Sequence, residues 1–228
     1  FTAPQPKAGK RYFLRFEGVG TYAAITLNGK DYGRHPVGRT TLTLDVTDAL
    51  KLGAENQLVV RAEHPDMIAD MPWVCGGCSS EWGFSEGSQP LGIFRPVVLE
   101  VTDEVRIEPF GVHIWNDDKA QTVFVETEVH NYTNQSQSIQ VVNKLSNADG
   151  LQTFRLAQDV VLAPGETKVI KQSAQVENPA LWSVENPYLY SLASMIKRGT
   201  ATTDEVTTPF GIRTISWPVK RNDGNGRF

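Results

Sequence analysis

Cys75-Gly76-Gly77-Cys78 sets two thiols at the C-x-x-C spacing used by metal sites and redox centres. A structural zinc site needs about four ligands, and the sequence holds no second cysteine pair. His64 and His113 are available imidazoles, but nothing in the sequence brings them to the thiols. A redox pair should open a helix within a βαβ unit, and none is readable here. Free thiols or a small local disulfide are therefore expected, with no metal and no cofactor. Gly18-Val19-Gly20 follows a strand pattern but opens no helix and lacks the third glycine of a dinucleotide site. His35 and Arg39 flank a strand turn and read as a surface hydrogen-bonding pair; no Ser-His-Asp set can be assembled. Residues 182–192, WSVENPYLYSL, surround Glu185 with aromatic rings, a composition that serves either a site or the packing of a β-domain. Asn131-Tyr132-Thr133 and Asn134-Gln135-Ser136 satisfy the N-glycosylation pattern, which also arises by chance.

The chain carrying these groups has 228 residues, enough for one large domain or two smaller ones. Hydrophobic residues make up 40% and charged residues 21%, as in a soluble globular protein. The net charge of -4 is spread along the chain with no Lys/Arg cluster, so nucleic acid is not an expected partner. No apolar run approaches the roughly 20 residues that span a bilayer, so no membrane partner is expected. The opening FTAPQPKAGK has neither an initiator Met nor an apolar signal segment. It reads as the start of an excised or processed piece, which leaves localisation, including export, open.

Helical periodicity is poor throughout, and strand patterns follow one turn after another. RYFLRFEGV reads as a strand ending at Gly18, and YAAITLNGKDYGRH as two strands joined at Asn28-Gly29. TTLTLDVTDAL, NQLVVRAE and FRPVVLEV continue the series. After Asp103, seven further strand patterns recur at intervals of roughly ten residues, the spacing of an immunoglobulin-like sandwich. One stretch breaks the rhythm. From His64 to Gly92, Gly, Ser, Pro and Trp dominate and periodicity is weak. Long irregular segments in compact domains are usually functional or mobile, which makes this one the best functional candidate.

Several motifs together resemble glycoside hydrolase family 2, which includes β-galactosidases, β-glucuronidases and β-mannosidases. Phe16-Glu17-Gly18-Val19, Leu27-Asn28-Gly29-Lys30, Gly33-Arg34-His35, Asp45-Val46-Thr47 and Gly92-Ile93-Phe94-Arg95 resemble its sugar-binding domain. Trp182, Asn186-Pro187-Tyr188-Leu189-Tyr190 and Phe210-Gly211-Ile212-Arg213 resemble the immunoglobulin-like domain that follows. The resemblance implies an all-β chain: a jelly-roll, galactose-binding-like β-sandwich truncated at its N-terminus, then an immunoglobulin-like β-sandwich. The expected domains are 1–102 and 103–217, with 218–228 a linker toward a (β/α)8 barrel. It also implies that WSVENPYLYSL is structural, opening a strand with Tyr188 and Tyr190 on one face, while Glu185 sits in a turn.

In the family the two hydrolytic carboxylates, about 5–5.5 Å apart in retaining enzymes, belong to the barrel, which needs about 250 residues by itself. The family's acid/base usually follows an Asn, and this sequence contains no Asn-Glu step. The expectation is therefore a chain with no catalytic residue of its own. Its expected partners are a β-glycoside and the barrel of the parent protein, and a second copy of the chain is one way to pair the open sheet edge. The resemblance also implies that a loop before Gly92 reaches the terminal sugar. Glu86 falls at the place of an acidic residue in the galactosidases, where it would accept hydrogen bonds from sugar hydroxyls. Trp82 or Trp73 would stack on the pyranose, and Glu81 is a further carboxylate; the alternative is that Glu86 is solvated and the tryptophans plug the loop. Arg95 is expected to be structural. An independent carbohydrate-binding or adhesin-like sandwich is the other functional reading.

Overall fold

A computed structural model describes residues 1–20, 22–36, 40–63 and 91–215. Every regular element among them is a strand, and the chain divides into two compact units between Glu104 and Val105.

The first unit contains β1 (Lys10–Phe16), β2 (Val19–Gly20), β3 (Tyr22–Leu27), β4 (Lys30–Pro36), β5 (Leu42–Asp45), β6 (Leu58–Glu63), β7 (Gly92–Ile93) and β8 (Val97–Asp103). They pair antiparallel as β5-β1-β8, β4-β3-β6 and β2-β7. Alternation explains the packing, because successive strand side chains point to opposite faces. Tyr12, Leu14 and Phe16 of β1 and Ala23, Ile25 and Leu27 of β3 all enter one buried cluster with Val46 and Leu50. Two sheets sharing that cluster make a β-sandwich. Asn28 and Gly29, with φ of 52° and 86°, form the turn between β3 and β4, the left-handed pair a two-residue hairpin requires.

Asp45 ties the β1–β5 edge. Its Oδ1 accepts from the Thr47 hydroxyl at 2.7 Å and the Thr47 N–H at 3.0 Å. Its Oδ2 accepts from Arg11 Nε at 3.0 Å and Nη2 at 2.5 Å. Partial burial pushes this carboxyl upward, but the Thr47 and Arg11 bonds outweigh it and hold it below the usual carboxylate range. A depressed folded value stabilises the fold above the unfolded value of about 4 and loses that contribution as pH falls through the folded one. Comparing wild type with Asp45→Asn by urea unfolding, the stability gap should be on the order of 1 kcal/mol at pH 7, after allowance for solvent screening. The gap should narrow as the pH is lowered below about 4 and vanish once it passes below the depressed folded value; a gap that does not narrow at all on acidification would rule the carboxylate out as its source.

The second unit contains β9 (Val105–Asn116), β10 (Thr122–Asn131), β11 (Gln137–Ser146), β12 (Gln152–Leu162), β13 (Thr167–Gln175), β14 (Tyr190–Arg198) and β15 (Ala201–Phe210). One sheet runs β13-β10-β9 and the other β12-β11-β14-β15. These seven antiparallel strands in two sheets are an immunoglobulin-like sandwich in which β12 stays beside β11. Two apolar clusters fill it, one around Val141, Leu162 and Ile196 and one around Leu145, Leu192 and Ile212. The sequence pattern EVRIEPFGVHIW promises an unbroken strand, but β9 carries a bulge. Thr127 faces Val112 whereas Val129 faces Ile107, so Glu108 to Gly111 crowd opposite Glu128 alone. Phe110 takes a φ of 60° there and is 83% exposed.

Candidate functional site

The motifs that stand apart in the first unit's sequence meet at one end of its β4-β3-β6 sheet. Gly20 pairs with Gly92 and Val19 with Ile93, while Tyr22 pairs with both Glu63 and Pro36. The two ends of the 64–90 stretch are thus anchored within a few residues of one another, on Val19 to Tyr22. Gly18 makes this closeness feasible. The Gly18 carbonyl accepts from the Phe94 N–H at 3.3 Å, and a Cβ on Gly18 would meet Phe94 Cζ at 2.8 Å. The aliphatic stem of Arg95 lies against the same glycine.

A charged cluster sits at this end. Glu63, the last residue of β6, is only 6% exposed. Its Oε2 lies 2.5 Å from Arg34 Nη2, and its Oε1 is paired with Arg61. Arg34 and Arg61 face Ala24 from either side, and Glu63 faces Tyr22. All of these share the sheet face opposite Ala23 and Ile25. Burial pushes the Tyr22 phenol up, offset in part by the Arg34 charge. Two guanidiniums on one carboxylate fix the position of the Glu63 side chain. His35 Nε2 is 2.8 Å from the Tyr32 carbonyl, while its expected partner Arg39 lies outside the described residues.

The second unit offers a cleft of about 640 Å³ lined by Trp115, Asn116, Asp117, Trp182, Phe210 and Arg213, among others. Its polar groups are largely spoken for. Asn116 Nδ2 donates to the Arg213 carbonyl at 2.8 Å, and its Oδ1 accepts from the Arg213 N–H at 3.2 Å. The Thr122 and Gln121 N–H groups donate to the Asp117 carboxylate and hold it below its usual range. The Arg213 guanidinium lies 5.5 Å from the Trp182 ring centre, and the Trp182 N–H donates to the Ile212 carbonyl at 2.8 Å. Among the described residues that line the cleft, no acid is paired with a base.

WSVENPYLYSL does structural work. The Tyr190 hydroxyl accepts from the Ala180 N–H at 2.9 Å and the Tyr188 hydroxyl from the Ala148 N–H at 3.2 Å. The two rings meet edge to face at 5.2 Å. The exposed Glu185 lies in a turn closed by the Ser183 N–H on the Asn186 carbonyl at 2.9 Å. Strand β14 starts at Tyr190, so residues 187–189 lead into it. His113 stacks on Trp115 at 4.6 Å. Asn131 is buried, and its Nδ2 donates to the Gln135 and Ala163 carbonyls at 2.8 Å each. That sequon is closed to modification, whereas Asn134 is exposed.

Residues 105–213 match the family model for glycosyl hydrolases family 2. A β-galactosidase of Bacteroides ovatus is 27% identical over 97% of this chain and 25% of its own length. A β-glucuronidase of Bacteroides fragilis is 32% identical over 90% of this chain and 29% of its own. The solved structure of a glycosyl hydrolase family 2 member from Bacteroides cellulosilyticus is 25% identical and superimposes with a TM-score of 0.79, covering 95% of this chain and 28% of that one. The chain belongs to glycosyl hydrolase family 2. It spans between a quarter and a third of the length of these family 2 relatives. Of the residues that family resemblance puts forward for sugar contact, Glu81, Glu86, Trp73 and Trp82 all lie outside the described residues, as do His64, Cys75 and Cys78. The Glu63 cluster at the anchors of that segment escapes the sequence reading. Its only signal is a carboxylate that closes the strand pattern NQLVVRAE, and such a residue is normally solvated.

Proposed function

We propose that these 228 residues are the non-catalytic part of a family 2 glycoside hydrolase that cleaves terminal β-glycosides, the galactosidase-like reaction. Residues 1–102 frame the sugar pocket, 103–217 brace a (β/α)8 barrel that carries the two carboxylates, and 218–228 lead toward it. Within 64–90, Glu86 accepts hydrogen bonds from the sugar's hydroxyls, with Glu81 as a second acceptor. Trp82 or Trp73 stacks on its apolar face. The observation carrying this reading is the likeness running through 97% of the chain but only 25% of a β-galactosidase. The lack of any Asn-Glu step in the sequence supports it.

The test compares the protein of the complete reading frame with the 228-residue chain on 4-nitrophenyl β-galactoside, β-glucuronide and β-mannoside. The complete protein is expected to release nitrophenol from one of them, and the 228-residue chain from none. Cleavage by the chain alone would overturn the proposal. So would submicromolar binding of a free sugar by the chain alone, which belongs to an independent carbohydrate-binding module.

A further inference from the structure

The second unit carries an apolar surface that none of the described residues covers. At the end of the sandwich where β9 stops, Leu151, Leu181, Val184, Leu189 and Ile215 are all exposed. The segments bearing them are fastened together. The Ala148 N–H donates to the Tyr188 hydroxyl, the Trp182 N–H to the Ile212 carbonyl and the Arg213 N–H to Asn116 Oδ1. Gly211 lets Trp182 settle against the backbone there, because a Cβ at 211 would meet Trp182 Cγ at 3.0 Å. Leu189 and Ile215 line the cleft described above. Exposed aliphatic side chains gathered in this way mark an interaction site. A sugar fits the surface poorly. Trp115 is stacked against His113 at 4.6 Å and Phe124 at 5.4 Å, and the Arg213 guanidinium already lies over Trp182. Both indoles have ring partners, and what remains on offer is leucine, valine and isoleucine, which suit a protein.

We propose that this end of the second unit is the docking face for the (β/α)8 barrel of the parent protein. The proposal rests on the function proposed above, in which 218–228 lead toward that barrel. Arg213, Thr214 and Ile215 form one wall of the cleft, so the last described residues are part of the face itself. A body tethered so close to the face meets it at an effective concentration of about millimolar, which a second copy of the chain in dilute solution does not match. The barrel lays an apolar patch on Leu189 and Ile215. Trp182 and Arg213, residue types that dominate the energetics of interfaces, sit beside them.

The experiment is hydroxyl-radical footprinting of the complete protein, read residue by residue by mass spectrometry. Val161 and Val169 serve as the internal reference. They lie at the opposite end of the sandwich, Val161 facing Ser138 and Val169 facing Glu128. Their exposures are 62% and 45%, against 48% for Leu189 and 60% for Ile215. With rates corrected for residue type, Leu189 and Ile215 should oxidise about fivefold more slowly than the two valines, because a packed interface excludes water. The protection should hold at every protein concentration and without sugar. Leu189→Asp, which sets a charge into the contact, should bring Ile215 up to the reference rate, and Val161→Asp should leave it protected. Equal rates in the wild type overturn the proposal. So does protection that fades on dilution, which belongs to a second copy, or that arises only with added galactose or glucuronic acid, which belongs to a sugar. If Leu189→Asp does not fold, the wild-type footprint decides. A complete protein that cleaves no β-glycoside overturns the functional reading and the identity of the docked body with it, whereas an active enzyme with Leu189 and Ile215 open overturns only this proposal.

Discussion

Replacing Asn143 with leucine should lower the unfolding free energy of the second unit by about 3–5 kcal/mol, at about 1–3 for each buried polar group stranded. Asn143 is fully buried and joins the two sheets of the sandwich. Its Nδ2 donates to Thr127 Oγ1 at 3.0 Å and Gln172 Oε1 at 2.9 Å, both on the β13-β10-β9 sheet. Its Oδ1 accepts from the Ser194 hydroxyl at 2.5 Å, on the neighbouring strand of its own sheet. The residues on either side of this bridge belong to two separate apolar clusters. A leucine would leave the buried Thr127 and Ser194 hydroxyls, and the half-buried Gln172 carbonyl, without that partner. The check is urea unfolding of both proteins, followed by the triple variant Asn143→Leu, Thr127→Val, Ser194→Ala. The triple variant should recover much of the loss, because it also removes the two buried hydroxyls that the single variant strands. A single variant that loses under 1 kcal/mol would contradict the role assigned to the bridge.

Asn56→Ala should cost the first unit about 3 kcal/mol, by the same reasoning applied to a loop. The side chain is nearly fully buried and makes four hydrogen bonds. Oδ1 accepts from the Lys51 N–H at 2.8 Å and from Asn28 Nδ2 at 2.7 Å. Nδ2 donates to the Lys51 carbonyl at 2.9 Å and the Ala54 carbonyl at 3.0 Å. Asn28 in turn donates to the Ala49 carbonyl at 2.8 Å and accepts from the Gln57 N–H at 3.0 Å, so the 49–57 segment and the β3–β4 turn are fastened through one amide. Asn56→Asp should do at least as much harm, because a carboxylate cannot donate to the Lys51 and Ala54 carbonyls. Amide exchange locates the effect: Lys51 and Gln57 should lose protection before the strand interior does. Uniform loss across both units would argue against a local fastening.

These two asparagines mark where the sequence falls silent. The alternation of Tyr12, Leu14 and Phe16, the Asn28-Gly29 turn and the seven strand patterns after Asp103 are local signals, and the fold class follows from them. Asn143 in SIQVVNKLSN has the same pattern as any outward-facing polar residue, because its partners arrive from β10, β13 and β14. Glu63 is hidden in the same way, since the arginine on β4 comes from across β3. Phe110 is hidden differently: a β-bulge depends on the partner strand, and EPFGV gives no local sign of one. Asn131 satisfies a sequon by letter, yet its amide is spent on two carbonyls inside the fold. The candidate sugar residues rest on the family resemblance, not on any periodicity of their own.

The nearness of the Glu63 and Gly92 anchors bears on how freely the sequence between them can vary. When a stretch of chain begins and ends on adjoining backbone positions, closing it costs an entropy that grows only with the logarithm of its length, about 0.6 kcal/mol per doubling. Residues between Glu63 and Gly92 can therefore be lengthened, shortened or exchanged wholesale while the register of Tyr22, Gly20 and their neighbours stays as it is. Length and sequence between the two anchors are thus thermodynamically separable from the sheets that hold them.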